Sequence, residues 1–371
     1  MVEELDKSDR ITVTAEQAIT VINDAMDMLE NHKQHFVVGL FGPPGVGKTT
    51  IFQTVAKQRG LSGETSWRSM LMFPALKEAQ DYGGFPAPGF DGNANEVMNL
   101  LPTAEMNEVI HAQQYILCIN DEIDKSDTPV QNAVGQLIEA RVVNNKPISD
   151  KVLFAFTGNG VEYNCGGRPL PDHIKSRIRM YHLEADAISW IKWAINNNID
   201  PVVVAFIDMR PELLFNYNSE IARDLVSYAC PRTWEKLSQA LQAGMLVDNL
   251  DEDNEALRST AMATTTAIVG QAAATEFLCY LELRAKMPHP AQILLNPKDT
   301  EVPQDVHVLY ALCAALVSRA RKDNIGRICD YVQRMPEEYA VMFMRIVTRQ
   351  KPAVEVSSAF TKFRTQYVDI M

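Results

Sequence analysis

The sequence lacks the long apolar stretch that a membrane-spanning helix requires. No run of about 18 apolar residues occurs among its 371 residues. The N-terminal segment MVEELDKSDR is acidic and polar, so it has neither the basic region nor the apolar region of a secretory signal. We therefore expect a cytoplasmic protein without a membrane span.

Paired cysteines are also missing. The chain has six scattered cysteines, none in a C-x-x-C pair: Cys118, Cys165, Cys230, Cys279, Cys313 and Cys329. Without a signal peptide, a disulfide framework is not expected, and we interpret these residues as small buried side chains. The seven histidines show no spacing typical of metal ligands.

Basic residues are few relative to acidic ones. The 35 Lys and Arg stand against 47 Asp and Glu, which gives a formal net charge of −12. Proteins that coat nucleic acids need clustered Lys and Arg to neutralise phosphates, so this balance argues against such a role. Hydrophobic residues make up 46% and charged residues 22%, as in an ordinary globular protein. At about 100–200 residues per domain, the length predicts two or three domains.

The strongest motif follows the short apolar run from Phe36 to Phe41. The next residues, GPPGVGKT, match the P-loop pattern G-x-x-x-x-G-K-S/T between a predicted strand and a predicted helix. Glycines in such a loop let backbone N–H groups surround phosphate oxygens, and the helix N-terminus adds positive potential. Lys48 is expected to reach the β- and γ-phosphates, and the Thr49 hydroxyl to bind Mg²⁺. The residues predicted to bind the nucleotide here are Gly42, Pro43, Pro44, Gly45, Val46, Gly47, Lys48, Thr49 and Thr50.

A P-loop requires an acidic partner, which we expect on a neighbouring strand. The apolar run from Tyr115 to Ile119 is typical of a buried parallel strand, and it ends in Asn120-Asp121-Glu122. We predict that Asp121 holds Mg²⁺ through water and that Glu122 polarises the attacking water. Alone, this pair could be a solvated strand end, but the P-loop favours the catalytic interpretation.

A third predicted strand carries another polar residue at its end. It covers Lys151 to Phe156 and is followed by Thr157-Gly158-Asn159. A polar side chain there would lie between the γ-phosphate and the attacking water, and Asn159 is the candidate. Asn in a turn is also common, so the residues alone leave this assignment open.

Six segments in order resemble the MoxR-like, dynein-related branch of the AAA+ ATPases. They are GPPGVGKT at 42–49, DYGGFPAPG at 81–89, INDEIDKSDTPVQNAVGQLIEARVV at 119–143, TGNG at 157–160, LPDHIKSRIRMYHLE at 170–184 and CPRTWEKLS at 230–238. The resemblance spans residues 15–245 and implies an α/β P-loop core of the AAA+ type with a mostly parallel sheet. Asn120, Ile178 and Cys230 depart from the family pattern, and none of these departures removes a catalytic group.

The resemblance adds two arginines to the site. It implies that Arg177 is an arginine finger acting on the ATP of a neighbouring subunit, with Arg179 as the alternative, and that Arg232 contacts the nucleotide from a helical lid. From the residues alone, Arg177 could belong to a solvated basic cluster, and Arg232 could be a helix N-terminal residue after Pro231.

The resemblance also implies an activity and its partners. These are ATP hydrolysis with Mg²⁺, assembly of copies of the chain into a ring, most simply a hexamer, and action on a protein substrate. A partner with a von Willebrand factor A domain is implied as well, and such proteins occur in bacteria and their phages.

Three parts are predicted along the chain. Residues 1–184 alternate between strand and helix patterns and form the α/β nucleotide-binding core. Helix patterns then predominate, giving a helical lid at 185–286 and a C-terminal helical extension at 287–371. We find no convincing strand pattern after residue 183.

Four segments carry more specific predictions. Residues 14–31 should form a helix with Thr14 as N-cap. Residues 74–96 are rich in Gly and Pro and are predicted to be irregular, and related ATPases suggest them as a substrate contact. Residues 222–229 and 255–286 are each predicted to be helical.

The leading functional hypothesis is an ATPase ring that remodels a partner protein. The first alternative is a nucleic-acid motor or loader of the helicase or clamp-loader type, against which the net charge argues. The second is a small-molecule kinase, against which the Ser176-Arg177 segment and the long helical half argue. The third is a nucleotide-dependent structural ring with negligible turnover, against which the Asp121-Glu122 pair argues.

Overall fold

The chain folds into two compact units. A computed structural model describes residues 10–61, 66–90, 93, 95–163, 166–217, 226–246 and 255–367. Unit 1 contains Met1–Gln242 and Ala267–Gln271, and unit 2 contains Ala243–Thr266 and Ala272–Met371. The division into core, lid and extension remains a prediction.

The described residues form one large sheet and two small ribbons. The strands are β1 Thr12–Val13, β2 Val38–Phe41, β3 Trp67–Met72, β4 Phe85–Phe90, β5 Glu96–Leu101, β6 Tyr115–Asn120, β7 Val142–Val143, β8 Lys146–Pro147, β9 Val152–Gly158 and β10 Arg179–Leu183. The large sheet has the order β1-β10-β2-β9-β6-β3, and all its neighbouring strands run parallel. The pairs β4–β5 and β7–β8 are antiparallel ribbons.

Helices account for most of the remaining structure. In the first part of the chain they are α1 Ala15–His32, α2 Lys48–Leu61, α3 Ala79–Gly83, α4 Ala104–Ile110, α5 Thr128–Ala140, α6 Asp172–Lys175, α7 Ala187–Asn196, α8 Pro201–Met209 and α9 Pro231–Gln242. They continue as α10 Glu255–Val269, α11 Gln271–Lys286, α12 Pro290–Leu295, α13 Val306–Arg319, α14 Ile325–Val332, α15 Glu337–Gln350, α16 Pro352–Glu355 and α17 Ser358–Thr365. In the part of the chain that the structure describes, no strand follows β10, and no helix is long and apolar enough to cross a bilayer. The predicted fold class is confirmed: an α/β P-loop core with a parallel sheet is followed by an all-α part.

The parallel sheet is covered by helices on both faces. Leu117 and Ile119 of β6 pack in one core with Phe52 of α2, whereas Cys118 packs in a second core with Val134 of α5. Successive residues of a strand point to opposite faces, so a strand covered on both sides reads as a continuous apolar run. This explains why β6 and β9 could be recognised in the sequence.

The first predicted helix is confirmed as α1. Thr14 is its N-cap: the Thr14 hydroxyl accepts a hydrogen bond from the Gln17 backbone N–H at 3.4 Å, and the Gln17 side chain accepts one from the Thr14 N–H at 2.9 Å. This reciprocal arrangement satisfies two N–H groups at the start of the helix.

The prediction of an irregular segment at 74–96 is wrong. The structure has a short 3₁₀ turn at Pro74–Leu76, helix α3 and then strand β4, which pairs with β5. Most side chains of this ribbon are exposed, so no alternation of apolar and polar residues marks it. Pro86 and Pro88 look like strand breakers, but a two-stranded ribbon has free edges where the missing N–H groups cost little. Residues 91, 92 and 94 lie outside the described residues.

Two helix predictions also need correction. Residues 226–229 are not helical, because Ala229 exchanges hydrogen bonds with Asn216: Ala229 N–H donates to the Asn216 side chain at 2.7 Å, and Asn216 N–H donates to the Ala229 carbonyl at 3.0 Å. Residues 222–225 lie outside the described residues. The stretch 255–286 forms two helices because Gly270, with φ +83°, ends the first one.

Unit 2 has an apolar core of its own. Buried side chains from α13, α14, α15 and α17 form it, and the rings of Phe343 and Phe363 meet edge to face with centroids 6.2 Å apart. Aromatic pairs of this geometry stabilise a core beyond their buried area.

The cysteine interpretation holds for four of the five cysteines that the structure describes. Cys118, Cys230, Cys313 and Cys329 are buried and carry free thiols, whereas Cys279 is free and exposed. Cys279 therefore contradicts the interpretation, and Cys165 lies outside the described residues.

Candidate functional site

The P-loop connects β2 to α2 and borders a cleft of about 260 Å³ within unit 1. The predicted site residues that line this cleft are Pro44, Gly45, Val46, Gly47, Lys48, Thr49, Thr50, Asp121, Glu122, Asn159 and Arg232. Gly42, Pro43 and Arg177 are not among the lining residues. The structure therefore places most of the predicted residues around one concave surface, as a ligand site requires.

The shape of the loop depends on two of its glycines. Gly45 has φ +79° and Gly47 has φ +104°, which side chains with a Cβ rarely adopt. A Cβ at Gly45 would also lie 2.5 Å from the sulfur of Cys230. The loop is thus a close-fitting backbone cradle that precedes a helix N-terminus, and this arrangement suits a phosphate group.

Lys48 links the P-loop to the tip of β9. Its Nζ donates hydrogen bonds to the carbonyls of Gly42 at 2.9 Å and Pro43 at 2.8 Å, and to the Asn159 side chain at 2.8 Å. Burial lowers the pKa of Lys48 to about 8, although nearby carboxylates, Asp124 foremost, limit the fall. Gly42 and Pro43 thus contribute by positioning the ammonium group.

This pKa predicts that the binding of a phosphate ligand at Lys48 depends on pH. Lys48 is charged below pH 8 and increasingly neutral above it, so the affinity of the protein for ATP should fall by about tenfold between pH 7.5 and 9. Equilibrium binding of a fluorescent ATP analogue across this range measures the effect. The Lys48→Arg variant should show a flatter profile, since a guanidinium stays charged. A parent profile without a slope would contradict the assignment.

The residues predicted to hold Mg²⁺ contact one another. The Thr49 hydroxyl donates a hydrogen bond to Asp121 Oδ1 at 2.5 Å, and the Thr157 hydroxyl donates one to the same oxygen at 2.6 Å. The Thr157 hydroxyl also accepts a hydrogen bond from the Glu122 N–H at 2.9 Å. Hydroxyl and carboxylate oxygens are the donors that Mg²⁺ prefers, so this set fits the ion.

Glu122 is held from two sides in a left-handed backbone conformation, with φ 53°. One of its carboxylate oxygens accepts from Lys125 Nζ at 2.8 Å, and the other accepts from the Asn159 side chain at 3.2 Å. Burial alone would raise the pKa of Glu122, but these hydrogen bonds outweigh it and keep the pKa below its usual value. The carboxylate is therefore ionised at neutral pH and able to accept a proton.

The expectation that the acidic strand neighbours the P-loop strand is wrong. The sheet order places β9 between β2 and β6. Asn159, just beyond the end of β9, consequently lies between Lys48 and Glu122 and bonds to both. The intervening strand is the reason that one amide side chain can link the P-loop to the acidic pair.

Helix α9 contacts the P-loop through its first residues. The Arg232 N–H donates to the Gly45 carbonyl at 3.3 Å, and the Cys230 sulfur lies beside Gly45. The Arg232 side chain lines the cleft. Trp234, in the same motif, is fully buried and serves the core, as its apolar character suggests.

Arg177 lies between α6 and β10, outside its own chain's cleft. Its guanidinium forms an ion pair with Glu139 of α5 at 2.5 Å and donates to the backbone carbonyl of His173. Arg179 is also engaged elsewhere, with its guanidinium carbon 3.7 Å from the centre of the Phe36 ring, a cation–π contact.

Several residues of the site were not predicted. Thr157 interacts with both acidic residues, and the carboxylate of Asp124, 2% exposed, accepts from the backbone of Asn159 at 2.9 Å. Trp190 and Trp193 of α7 line the same cleft. A signal existed for Thr157, since it is a polar residue at the end of an otherwise apolar strand. The side of the cleft formed by α7 had no such signal.

Comparisons with known proteins leave the family open. No family model matches the chain, and no curated protein matches it. Among solved structures, it is similar to the RuvB Holliday junction branch migration motor of Thermotoga maritima, with 13% identity over 81% of this chain and 80% of that chain, at a TM-score of 0.36. It is also similar to PCH-2 of C. elegans, with 12% identity over 73% of this chain and 69% of that chain, at a TM-score of 0.35. A likeness this distant does not define an activity.

Proposed function

We propose that this protein is a MoxR-like AAA+ ATPase, which hydrolyses ATP in the cytoplasm as an oligomeric ring and thereby remodels a partner protein. One observation carries the enzymatic part of the proposal. Asn159 joins Lys48 of the P-loop to Glu122, the proposed base, within the cleft that also contains the Thr49–Asp121 pair.

Each residue of this cluster has a role in the proposed reaction. The P-loop N–H groups and Lys48 would bind the phosphates, and Thr49 and Asp121 would hold Mg²⁺. When bound, Mg²⁺ neutralises charge on the phosphate oxygens. Glu122 accepts a proton from the attacking water, and Asn159 orients this water.

Assembly into a ring, most simply a hexamer, rests on Arg177. Its side chain lies outside its own chain's cleft. It forms an ion pair with Glu139, a residue of α5 that does not line the cleft either. An arginine that acts on a neighbouring subunit's ATP, as the resemblance implies, would have no role in its own cleft. Arg179 also lies outside the cleft, so the choice of Arg177 as the finger rests on the resemblance. Arg232 lines the cleft, which supports it as the arginine that contacts the nucleotide within its own chain.

The remodelling part of the proposal rests on the resemblance and on the β4–β5 ribbon. This ribbon exposes large apolar side chains, among them Phe90 at 70% and Met98 at 68%. Exposed apolar groups in such numbers are typical of surfaces that contact proteins, so we assign the substrate contact to this ribbon. A protein with a von Willebrand factor A domain is the proposed partner.

ATP hydrolysis by the purified protein tests the proposal. Lys48→Ala should weaken ATP binding by roughly 10–100-fold, because a charge-assisted hydrogen-bond donor to phosphate is lost, and hydrolysis should fall with it. Thr20→Ala changes an exposed residue of α1 and serves as the control. Unchanged ATP affinity in Lys48→Ala would contradict the P-loop assignment.

The same assay distinguishes a protein remodeller from a nucleic-acid motor. Added single- or double-stranded DNA should leave the hydrolysis rate unchanged, since the net charge of −12 disfavours phosphate backbones. Strong stimulation by DNA would replace the remodelling proposal with the motor.

A further inference from the structure

Asp124 is a buried carboxylate next to the proposed catalytic pair. It lies two residues after Glu122 in the turn that follows β6, and it is 2% exposed. Burying a carboxylate is costly unless its oxygens receive hydrogen bonds. Its contacts therefore indicate what this side chain does.

One oxygen of Asp124 binds the backbone that carries Asn159. Oδ2 accepts hydrogen bonds from two consecutive N–H groups, those of Asn159 at 2.9 Å and Gly160 at 3.0 Å. Oδ1 is buried and has no hydrogen-bond partner among the described residues. Both hydrogen bonds that the carboxylate accepts from described residues therefore come from the short loop at Asn159 and Gly160.

Close backbone packing fixes the carboxylate in place. A Cβ at Gly167 would lie 2.5 Å from Oδ2, and a Cβ at Gly158 would lie 3.0 Å from Oδ1. The backbone carbonyl of Asp124 also accepts from the Arg168 N–H at 2.6 Å. Neighbouring backbone on both sides leaves little room for the carboxylate to turn.

We infer that Asp124 is a positioning residue, which holds the β9–Gly160 loop so that the Asn159 side chain bridges Lys48 and Glu122. The amide of Asn159 can accept from Lys48 and donate to Glu122 only if its backbone is correctly placed. Asp124 does not itself line the cleft, and among the described residues its carboxylate makes no hydrogen bond to the side chain of Lys48 or Glu122, so its hydrogen bonds act through Asn159. This inference rests on the proposed ATPase function.

The first test compares four variants, Asp124→Ala, Asp124→Asn, Asn159→Ala and a double variant, in ATP hydrolysis and ATP binding. Asp124→Ala removes the acceptor and should lower kcat at saturating ATP by roughly 100-fold through misplacement of Asn159. Asp124 also supports the charge of Lys48, so the fall in ATP affinity should be the same in Asp124→Ala and Asp124→Asn, which both lack the carboxylate charge. Asp124→Asn keeps one acceptor oxygen and should retain kcat to within about tenfold. In the double variant Asp124→Ala/Asn159→Ala, kcat should equal that of Asn159→Ala alone. Asp124 acts by placing the Asn159 amide, so once that amide is gone, the loss of Asp124 should cost nothing further.

Asp200 provides a matched control. Its carboxylate also accepts a backbone hydrogen bond, from Val202 at 2.8 Å, but it caps α8 and does not line the cleft. Asp200→Ala should lower the melting temperature and leave kcat unchanged. A purely structural role for Asp124 would give the same pattern as Asp200→Ala, and that result would overturn the inference.

Hydrogen exchange gives a readout independent of hydrolysis. Asp124→Ala should speed amide exchange in a peptide that contains Asn159 and Gly160, relative to the parent and to Asp200→Ala. If Asp124→Ala does not fold, the same measurement and the same double-variant cycle use Asp124→Asn, whose smaller kcat loss should vanish when Asn159 is already Ala. Unchanged exchange, or kcat losses that multiply, would overturn the inference. If the parent does not hydrolyse ATP, the proposed function fails, while the exchange result still decides the positioning role.

Discussion

Arg177→Ala is expected to bind ATP as tightly as the parent protein and to hydrolyse it about 10³–10⁵-fold more slowly, the range typical of arginine fingers. The finger offsets charge that develops during phosphoryl transfer, and Arg177 lies outside its own chain's cleft, so binding should be spared. Steady-state hydrolysis and equilibrium ATP binding measure the two effects. Arg179→Ala is the matched control and should retain most of the activity. The reverse result, with loss in Arg179→Ala alone, would transfer the role to Arg179.

A mixture of two inactive variants tests whether this arginine acts between subunits. Arg177→Ala subunits keep the base Glu122, and Glu122→Gln subunits keep the finger. If one site uses both residues from adjacent copies, mixed assemblies contain some interfaces with an intact pair and regain part of the activity. A finger acting within its own chain could not restore activity this way. Mixtures that co-assemble without any recovery would count against a shared site.

The second large effect is expected for Glu122→Gln. The amide is nearly the same shape but cannot accept the proton of the attacking water, so kcat should fall by about 10²–10⁴-fold while ATP binding is retained. Glu108→Gln, which changes a partly exposed glutamate paired with Arg68, should behave like the parent. Single-turnover hydrolysis separates this chemical step from product release. A normal rate in Glu122→Gln would show that water activation lies elsewhere.

The central fold was predictable because its buried strands have a strong sequence signal. β6 and β9 are covered on both faces and read as continuous apolar runs, and the P-loop identifies the turn after β2. The positions of Lys48, Glu122 and Asn159 then follow from the rule that parallel strands present their carboxyl ends at one edge. The structure indeed brings these three side chains into hydrogen-bond contact.

Other features depend on long-range contacts that no local pattern shows. The β4–β5 ribbon has no buried face to impose alternation. The backbone of Ala229 bonds to Asn216, thirteen residues earlier, and this pairing replaces a local helix. The burial of Asp124 follows from the close approach of Gly158 and Gly167, and the Asp-Glu-Ile-Asp sequence alone suggests a solvated acidic cluster.

The segment Ala267–Gln271, which belongs to unit 1 although the chain before and after it belongs to unit 2, limits how the protein can be dissected. The Ala267 carbonyl accepts a hydrogen bond from the Ser227 hydroxyl at 2.5 Å, and Gly270 packs so closely on the Ser227 carbonyl that a Cβ there would lie 2.4 Å from it. A fragment that stops at Gln242 would lose both contacts. The polypeptide passes between the two units three times, so a single cut cannot release either one whole, and an expression fragment of unit 1 must extend at least to Gln271.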